Sequence, residues 1–322
     1  MKNFVARAGR IGLFALLTLL LASLAFSQSA LRKAMDYDGD NRADFTVFRP
    51  SNNVWYISNS NGGVTATNFG LAGEDFMTPG DYDGDGKGDI SVWRDTTGTF
   101  YRLNSSDGTF RAVNWGVTGD EPVARDYDGD GKTDIAVARR TGGTMVWYIQ
   151  HTVDTGYSAI QWGISTDYTA PGDYDGDGKF DVCVQRPGTT PTGQATFYAR
   201  KSSDNGVIAQ PWGVSNDLVV PADYDGDGKT DFAVVREGAT LTSNLTWYIL
   251  RSSDGGVIAD VFGLTNADVN TQNDYDGDGK ADIAVWRDTN GTFYYRRSSD
   301  NGVGAFQWGS ANDYPVASYD TH

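Results

Sequence analysis

One nine-residue segment recurs six times in the chain, and it limits the possible folds more than any other feature. The segment reads Asp-Tyr-Asp-Gly-Asp, then Gly or Asn, a basic residue, any residue and Asp. Successive copies lie 45, 45, 47, 50 and 51 residues apart, and they begin at Asp36, Asp81, Asp126, Asp173, Asp223 and Asp274. A period of about 45 residues is typical of a β-propeller blade.

The rest of each repeat is equally regular. An apolar run that ends in Arg follows the segment, and then come an aromatic pair, a polar turn and an aromatic-Gly step. Val, Ile, Thr and aromatic residues favour strands, and Gly, Asn, Asp and Ser mark the turns between them. A linear stack of repeats would need polar caps at both ends, which the sequence lacks. We therefore predict an all-β propeller of four-stranded blades, whose repeats begin near residues 31, 76, 121, 168, 218 and 269.

The end of the chain bears on the number of blades. Six complete units favour six blades, while a degraded seventh start at Ser318 leaves seven open. The stretch 314–317 resembles the strand before each segment, for example 121–124, whereas the stretch 31–35 before the first segment is a poor match. We expect a closing strand over residues 314–320 to complete the first blade and to latch the ring.

Each segment places carboxylates at positions 1, 3, 5 and 9, and these would repel one another unless a cation lay among them. Carboxylate oxygens, together with the backbone carbonyl of the basic residue at position 7, suit Ca²⁺, and Mg²⁺ is the second choice. The segments are not EF-hands, because position 12 is Val and not a bidentate Glu. We predict about six Ca²⁺ ions, one per segment. The predicted ligands are Asp36, Asp38, Asp40, Arg42 and Asp44; Asp81, Asp83, Asp85, Lys87 and Asp89; Asp126, Asp128, Asp130, Lys132 and Asp134; Asp173, Asp175, Asp177, Lys179 and Asp181; Asp223, Asp225, Asp227, Lys229 and Asp231; Asp274, Asp276, Asp278, Lys280 and Asp282.

The charge balance supports this interpretation. The formal net charge is −16, which disfavours a compact state and also disfavours nucleic acid or anionic lipid as a partner. Bound Ca²⁺ would offset much of this charge. It would also replace disulfides as a source of stability, because the single Cys183 excludes an intrachain disulfide.

The first 27 residues have the pattern of a secretory signal peptide. Lys2, Arg7 and Arg10 precede an uncharged apolar run over residues 11–26, and small residues lead to a cleavage point before Gln28. We predict a signal peptide over residues 1–27 and a single domain over residues 28–322. The protein would then be exported to the periplasm, the cell surface or the medium, with no membrane insertion after cleavage, and we expect it to be a monomer.

The repeated segment and the aromatic-Gly step resemble the FG-GAP/VCBS repeat family, which includes the propeller of integrin α subunits. The resemblance covers roughly residues 31–320. It implies a propeller with Ca²⁺ in the hairpin between the first and second strands of each blade. Integrin-like propellers usually have seven blades with Ca²⁺ in only some of them, so six complete loops depart from that pattern. The family spans adhesion proteins, lectins and enzyme accessory domains.

Few residues suggest catalysis. The only histidines are His151 and His322, neither recurs, and no nucleophile–base pairing is apparent. We expect no enzyme but a binding, adhesion or scaffold module whose partner is a surface protein or a glycan. A carbohydrate-active enzyme is an alternative, based on carboxylates that recur after the aromatic-Gly step. Those carboxylates are Asp75, Asp120, Asp167, Asp217, Asp268 and Asp313.

The recurring arginines allow two interpretations. In the first, each arginine is structural and pairs with an acidic turn of a neighbouring blade, while the aromatic pair fills the core between blades. The alternative is a lectin, in which Arg and Trp side chains face grooves between blades and bind sugar. The arginines are Arg49, Arg94, Arg139, Arg186, Arg236 and Arg287. The tryptophans of this second interpretation are Trp115, Trp162, Trp212 and Trp308.

Overall fold

The computed structural model describes residues 34–317 except 153 and 155, and these residues form six four-stranded antiparallel sheets. The predicted signal peptide and residues 318–320 of the predicted closing strand lie outside the described residues. Blade 1 contains β1 (Phe45–Arg49), β2 (Val54–Ser58) and β3 (Val64–Asn68); blade 2 contains β4 (Asp75–Met77), β5 (Ile90–Arg94), β6 (Thr99–Leu103) and β7 (Phe110–Asn114); blade 3 contains β8 (Glu121–Pro122), β9 (Ile135–Thr141), β10 (Thr144–Gln150) and β11 (Tyr157–Ile164).

The remaining blades repeat this order. Blade 4 contains β12 (Tyr168–Thr169), β13 (Val182–Arg186), β14 (Gln194–Arg200) and β15 (Val207–Val214); blade 5 contains β16 (Leu218–Val219), β17 (Phe232–Arg236), β18 (Asn244–Leu250) and β19 (Val257–Leu264); blade 6 contains β20 (Asp268–Asn270), β21 (Ile283–Arg287), β22 (Thr292–Arg296) and β23 (Val303–Gln307). The last strand, β24 (Tyr314–Pro315), belongs to blade 1.

Blade 1 is built from two distant parts of the chain. β24 pairs with β1 in the registers Val47↔Pro315 and Phe48↔Tyr314, so the sheet order is β24-β1-β2-β3. The prediction of six four-stranded blades is therefore confirmed. This pairing closes the ring without a covalent link.

The core lies between neighbouring blades. In one cluster, Trp93 and Phe100 of blade 2 pack with Ala124 and Val137 of blade 3. Side chains on both faces of each sheet are thus covered by the adjacent sheets, which explains why the second strands are apolar without alternation. The largest fully buried side chains include Trp55, Trp93, Trp147, Trp247 and Trp286.

Blade 4 departs from this pattern. In the other five blades a buried Trp, on the second or third strand, donates its indole N–H to the carbonyl of the aromatic-Gly step in its own blade. Blade 4 instead pairs Gln185 with Phe197. Gln185 is fully buried, and its side-chain amide has no hydrogen-bond partner within the described chain.

Candidate metal centres and ligand pocket

The six repeated segments form loops at one face of the ring, and we number them loop 1 (36–44), loop 2 (81–89), loop 3 (126–134), loop 4 (173–181), loop 5 (223–231) and loop 6 (274–282). Loops 2–6 connect the first and second strands of their blades, and loop 1 leads into β1. Three carboxylates of one loop approach within 4.8 Å of one another in several loops. These sets include Asp36, Asp38 and Asp40; Asp81, Asp83 and Asp85; Asp126, Asp128 and Asp130; Asp173, Asp175 and Asp181.

Loop 2 illustrates how the backbone holds these carboxylates. Asp81 at position 1 accepts hydrogen bonds from the N–H groups of Gly84 (2.7 Å) and Gly86 (3.0 Å). Asp89 at position 9 accepts from the N–H groups of Tyr82 (2.9 Å) and Ser105 (2.7 Å). Both carboxylates are almost completely buried. The loop therefore wraps around its first and last aspartates, which fixes the direction in which the oxygens point.

The turn between the third and fourth strands supports the same loop. In blade 2, Ser105 donates its hydroxyl to Asp85 (3.0 Å) and Ser106 donates to Asp83 (2.6 Å). Blades 4, 5 and 6 repeat these contacts. Sequence reasoning missed this role, although the recurring Ser-Ser pair was a visible signal. The serines are Ser105-Ser106, Ser202-Ser203, Ser252-Ser253 and Ser298-Ser299.

Burial makes the ionised form of these carboxylates unfavourable, and their pKa values are raised. Burial, together with neighbouring carboxylates, raises the pKa of Asp89 to about 6 and that of Asp181 to about 7. The pKa is raised by burial in the same way at Asp126 and Asp282, to about 7 in each. Ionised carboxylates in this setting are unfavourable unless a positive charge lies beside them. An all-oxygen set of this kind fits a hard divalent cation such as Ca²⁺.

The loops also contact one another around the ring. The N–H at position 8 of each loop donates to the carbonyl at position 1 of the preceding loop, for example Thr133 to Asp81 (2.7 Å). Ala43 of loop 1 donates to Asp274 of loop 6 (2.8 Å), which closes the circle. The six donors are Ala43, Gly88, Thr133, Phe180, Thr230 and Ala281.

The basic residue at position 7 packs on the preceding loop. Lys132 lies over Gly84, where an added Cβ would stand 2.7 Å from the lysine Cε. Gly84 also has a φ of 82°, so both its backbone conformation and its neighbour require glycine. The backbone N–H of Lys132 donates to Asp130 (2.8 Å) within its own loop. Arg42, Lys87, Lys179, Lys229 and Lys280 occupy the same position and pack in the same way.

Two stretches of the chain match a known repeat family. Residues 36–92 and 126–184 match the model of the FG-GAP-like repeat. The chain carries FG-GAP-like repeats. No curated protein sequence matches it.

Several solved structures resemble this chain at low sequence identity. AofleA from Arthrobotrys oligospora is 9% identical with a TM-score of 0.51, and the match covers 90% of each chain. A triple arginine-to-alanine mutant of AofleA also gives 0.51 at 9% identity, covering 90% of this chain and 91% of the other. A virginiamycin B lyase from Staphylococcus aureus gives 0.44 at 10% identity, covering 83% and 85%. Such similarity to AofleA shows the propeller fold alone.

The recurring arginines of the FG-GAP-like repeats are partly exposed and pair with buried aspartates. Arg94 forms two hydrogen bonds with Asp75 (2.7 and 2.9 Å) and lies over the ring of Tyr101. The prediction that the partner belongs to a neighbouring blade is wrong, because Asp75 and Arg94 face each other in the same sheet. The first strand begins directly at the acidic turn, which brings that turn into the blade. The recurring acidic residues of the catalytic alternative are these arginine partners.

The tryptophans of the aromatic-Gly step link neighbouring blades. The indole N–H of Trp115 donates to the carbonyl of Tyr148 in the next blade (3.0 Å), and Trp308 donates to Tyr56 across the closure (3.0 Å). Trp162 and Trp212 make the same contact. All four side chains remain partly exposed.

The opposite face of the ring, which we call the connector face, is formed by the connectors between blades and the turns after the second strands. A cavity of about 800 Å³ opens there and is lined mainly by blades 3, 4 and 5. Glu121 in this cavity pairs with Arg140 and accepts a hydrogen bond from the hydroxyl of Thr169. Arg140 also donates to the carbonyl of Asp167 (3.0 Å). This network joins blades 3 and 4, and none of its three side chains recurs at the equivalent positions of the other blades.

Among the described residues, none forms a helix with the length and hydropathy that a bilayer crossing requires.

Proposed function

We propose that this chain is an exported, calcium-dependent binding module that carries out no catalysis. The observation that carries the calcium part is the convergence of carboxylates in the loops, where Asp89 and its equivalents are buried beside other aspartates. Four carboxylates per loop with a flexible all-oxygen arrangement favour Ca²⁺ over Mg²⁺, which prefers tighter octahedra and keeps its waters.

Calcium would stabilise the ring as well as each blade. Asp81 receives hydrogen bonds from its own loop, and its backbone carbonyl receives one from Thr133 of the next blade. An ion that holds Asp81 in place would therefore also hold the carbonyl that accepts the hydrogen bond from the next blade. Binding to the folded state alone adds directly to the free energy of unfolding.

The connector face supports the binding part of the proposal. Ligand sites in proteins are concave, with apolar walls and a few polar groups that fix orientation. The cavity of blades 3–5 is concave and most of its lining residues are polar, with the exposed apolar surface of Tyr168 and Leu218 next to the Glu121–Arg140 pair and the exposed carboxylate of Glu237. We propose that a surface protein or a glycan binds here. The net charge of −16 makes nucleic acid an unfavourable partner.

Counting the bound ions tests the calcium proposal. Native mass spectrometry of the mature protein in Ca²⁺ should show six ions, and the variant Asp89→Asn should show five. The variant Glu74→Gln, which changes an exposed carboxylate outside the loops, should keep six. Protein that carries no ion in Ca²⁺ buffer, or an Asp89→Asn variant that keeps the full number, would contradict the proposal.

Sugar binding between blades 3 and 4 is a second candidate. A groove of about 520 Å³ lies there, lined by Gln161, Trp162, Arg200 and Asn205. Trp162 is partly exposed, so its ring could stack on a sugar while Arg200 bonds to hydroxyls. On a glycan array, Arg200→Ala should abolish binding and Lys201→Ala should not. Equal binding by both variants would show that this groove is not the sugar-binding site.

A further inference from the structure

The loop of blade 3 differs from the other five in one residue that reaches it from the neighbouring turn. His151 begins the turn between β10 and β11. The equivalent residues are Asn59, Asn104, Lys201, Arg251 and Arg297. Among the residues that the structure describes, blade 3 is therefore the one blade with an imidazole at this position.

The imidazole points one nitrogen at the carboxylates. His151 Nδ1 lies 3.7 Å from Asp134 Oδ2 and 3.9 Å from Asp128 Oδ2. The three side chains form one set of potential metal-binding atoms, all within 4.8 Å of one another. Nδ1 is buried and has no hydrogen-bond partner within the described chain. Carboxylate oxygens therefore lie near Nδ1, but none of them forms a hydrogen bond with it.

The other ring nitrogen is anchored. His151 Nε2 lies 2.7 Å from the hydroxyl oxygen of Ser158. When Nε2 carries the proton and donates it to Ser158, the lone pair of Nδ1 is directed at Asp128 and Asp134. Histidines that bind metals almost always donate the second ring N–H to an oxygen in this way, since the hydrogen bond fixes the tautomer and the ring orientation.

We propose that loop 3 holds a borderline transition-metal ion of the Zn²⁺ class in place of Ca²⁺, bound by His151 Nδ1, Asp128 and Asp134. Imidazole nitrogen favours Zn²⁺, Co²⁺ and related ions, whereas carboxylate and carbonyl oxygens alone favour Ca²⁺. Two atoms bound to one tetrahedral Zn²⁺ stand roughly 3.3 Å apart. The two distances from His151 Nδ1 exceed this by about half an ångström, and the carboxylate oxygens of Asp128 and Asp134 lie within 4.8 Å of each other, so the three side chains must draw together to bind the ion.

The five remaining loops serve as internal references. Loop 2 has the same four aspartates but Asn104 at the position of His151, and Asn104 offers no imidazole nitrogen. The inference rests on the proposed function only in treating the loops as metal sites. It assigns a different ion to one of them, so the two can fail separately.

The test is titration of the calcium-loaded protein with ZnCl₂ and CoCl₂. Native mass spectrometry should show that one Zn²⁺ replaces one Ca²⁺, to give five Ca²⁺ and one Zn²⁺. One equivalent of Co²⁺ should give visible absorption with nitrogen ligation. The variant His151→Asn, which has the residue of blades 1 and 2, should keep six Ca²⁺ and lose affinity for Zn²⁺ by about a hundredfold.

A second variant tests whether Zn²⁺ binding depends on the orientation of the His151 ring and not only on the charge of loop 3. Ser158→Ala leaves the ligand set intact and removes the anchor of Nε2, so it should weaken Zn²⁺ binding by about tenfold while the Ca²⁺ count is unchanged.

Zn²⁺ uptake that is equal in wild type and His151→Asn would overturn the inference. So would wild-type protein that takes up no Zn²⁺ and holds five Ca²⁺, because His151 would then act as the cation itself. Protein that holds six Ca²⁺ and takes up no Zn²⁺ would refute this inference and leave the proposed function standing. Protein that takes up Zn²⁺ through His151 but binds no Ca²⁺ would support this inference and refute the proposed function.

Discussion

The two faces of the ring differ in how closely the six blades repeat. On the loop face, all six blades carry Asp at positions 1, 3, 5 and 9 and repeat the same hydrogen bonds from blade to blade. On the connector face, the residue after each recurring aspartate differs in every blade except for one repetition of Tyr: Phe76, Glu121, Tyr168, Leu218, Val269 and Tyr314. The connector face thus repeats its arginine–aspartate pairs but varies the residue beside each pair. We therefore expect the loop face to provide stability and the varied residues of the connector face to provide recognition.

Removal of calcium should have the largest effect, because it acts on every loop at once. Each ion at 100 times its Kd contributes about 2.7 kcal/mol to the free energy of unfolding. Treatment with a chelator should therefore lower the Tm by tens of degrees in differential scanning calorimetry, and Ca²⁺ should restore it. An unchanged Tm would mean that the loop face does not provide the stability assigned to it.

Loss of one arginine on the connector face should have a smaller effect that does not depend on calcium. Arg94→Ala leaves the buried carboxylate of Asp75 without its partner, which costs about 3 kcal/mol. Urea unfolding should show the same loss with Ca²⁺ and with chelator. If the loss of stability appears only with Ca²⁺, the two faces are coupled, and the separate roles assigned to them are wrong.

The pH dependence of the metal-free protein sharpens the role of the loop face. Burial raises the pKa of Asp44 and Asp231 to about 7, above the ordinary value of 3.8. The folded state therefore retains protons that the unfolded state releases, so the free energy of unfolding falls as the pH rises from about 4 to about 7. Metal-free protein should melt at a higher temperature at pH 5 than at pH 8, and saturating Ca²⁺ should reverse this order. A metal-free protein that is more stable at pH 8 would contradict these pKa shifts.

The smallest effect on stability should come from the pocket of the connector face. The exposed residues Glu237 and Tyr168 contribute little to the core, so Glu237→Gln and Tyr168→Ala should each change the free energy of unfolding by less than about 0.5 kcal/mol. Both should reduce binding on a glycan array or to immobilised surface proteins. Tyr157→Ala, at an exposed tyrosine of the outer strand β11, is the matched control and should bind normally. Equal binding by all three variants would place the recognition site elsewhere.

The sequence was sufficient to predict the propeller and its closure. The number of blades followed from the count of complete repeats, and the placement of β24 in blade 1 followed from the likeness of residues 314–317 to the strand before each loop. Both depend on repetition, which is visible in the order of residues. The grouping of aspartates was predicted from their repulsion and from the glycines that allow a sharp turn, and the structure brings three of them together in several loops.

Contacts between distant residues could not be predicted in the same way. The pairing of Arg94 with Asp75 depends on the register of β4 against β5, which is set by packing of the whole blade. The serine contacts to the loops depend on a turn 16 or more residues away folding back onto them. In the pocket of the connector face, Glu121 and Arg140 lie on paired strands of blade 3 and Thr169 lies in blade 4, so their network forms only when the two neighbouring blades pack together.

The hydrogen bonds that run from loop to loop imply that the proposed ions would not bind independently. Each loop receives its neighbour's position-8 N–H at the carbonyl of its own position 1, as between Phe180 and Asp126. Whatever orders one loop also orders part of the next, and the sixth passes this order back to the first through Ala43 and Asp274. We therefore expect the proposed Ca²⁺ ions to fill the loops cooperatively, over a narrower range of ion concentration than six independent sites would need.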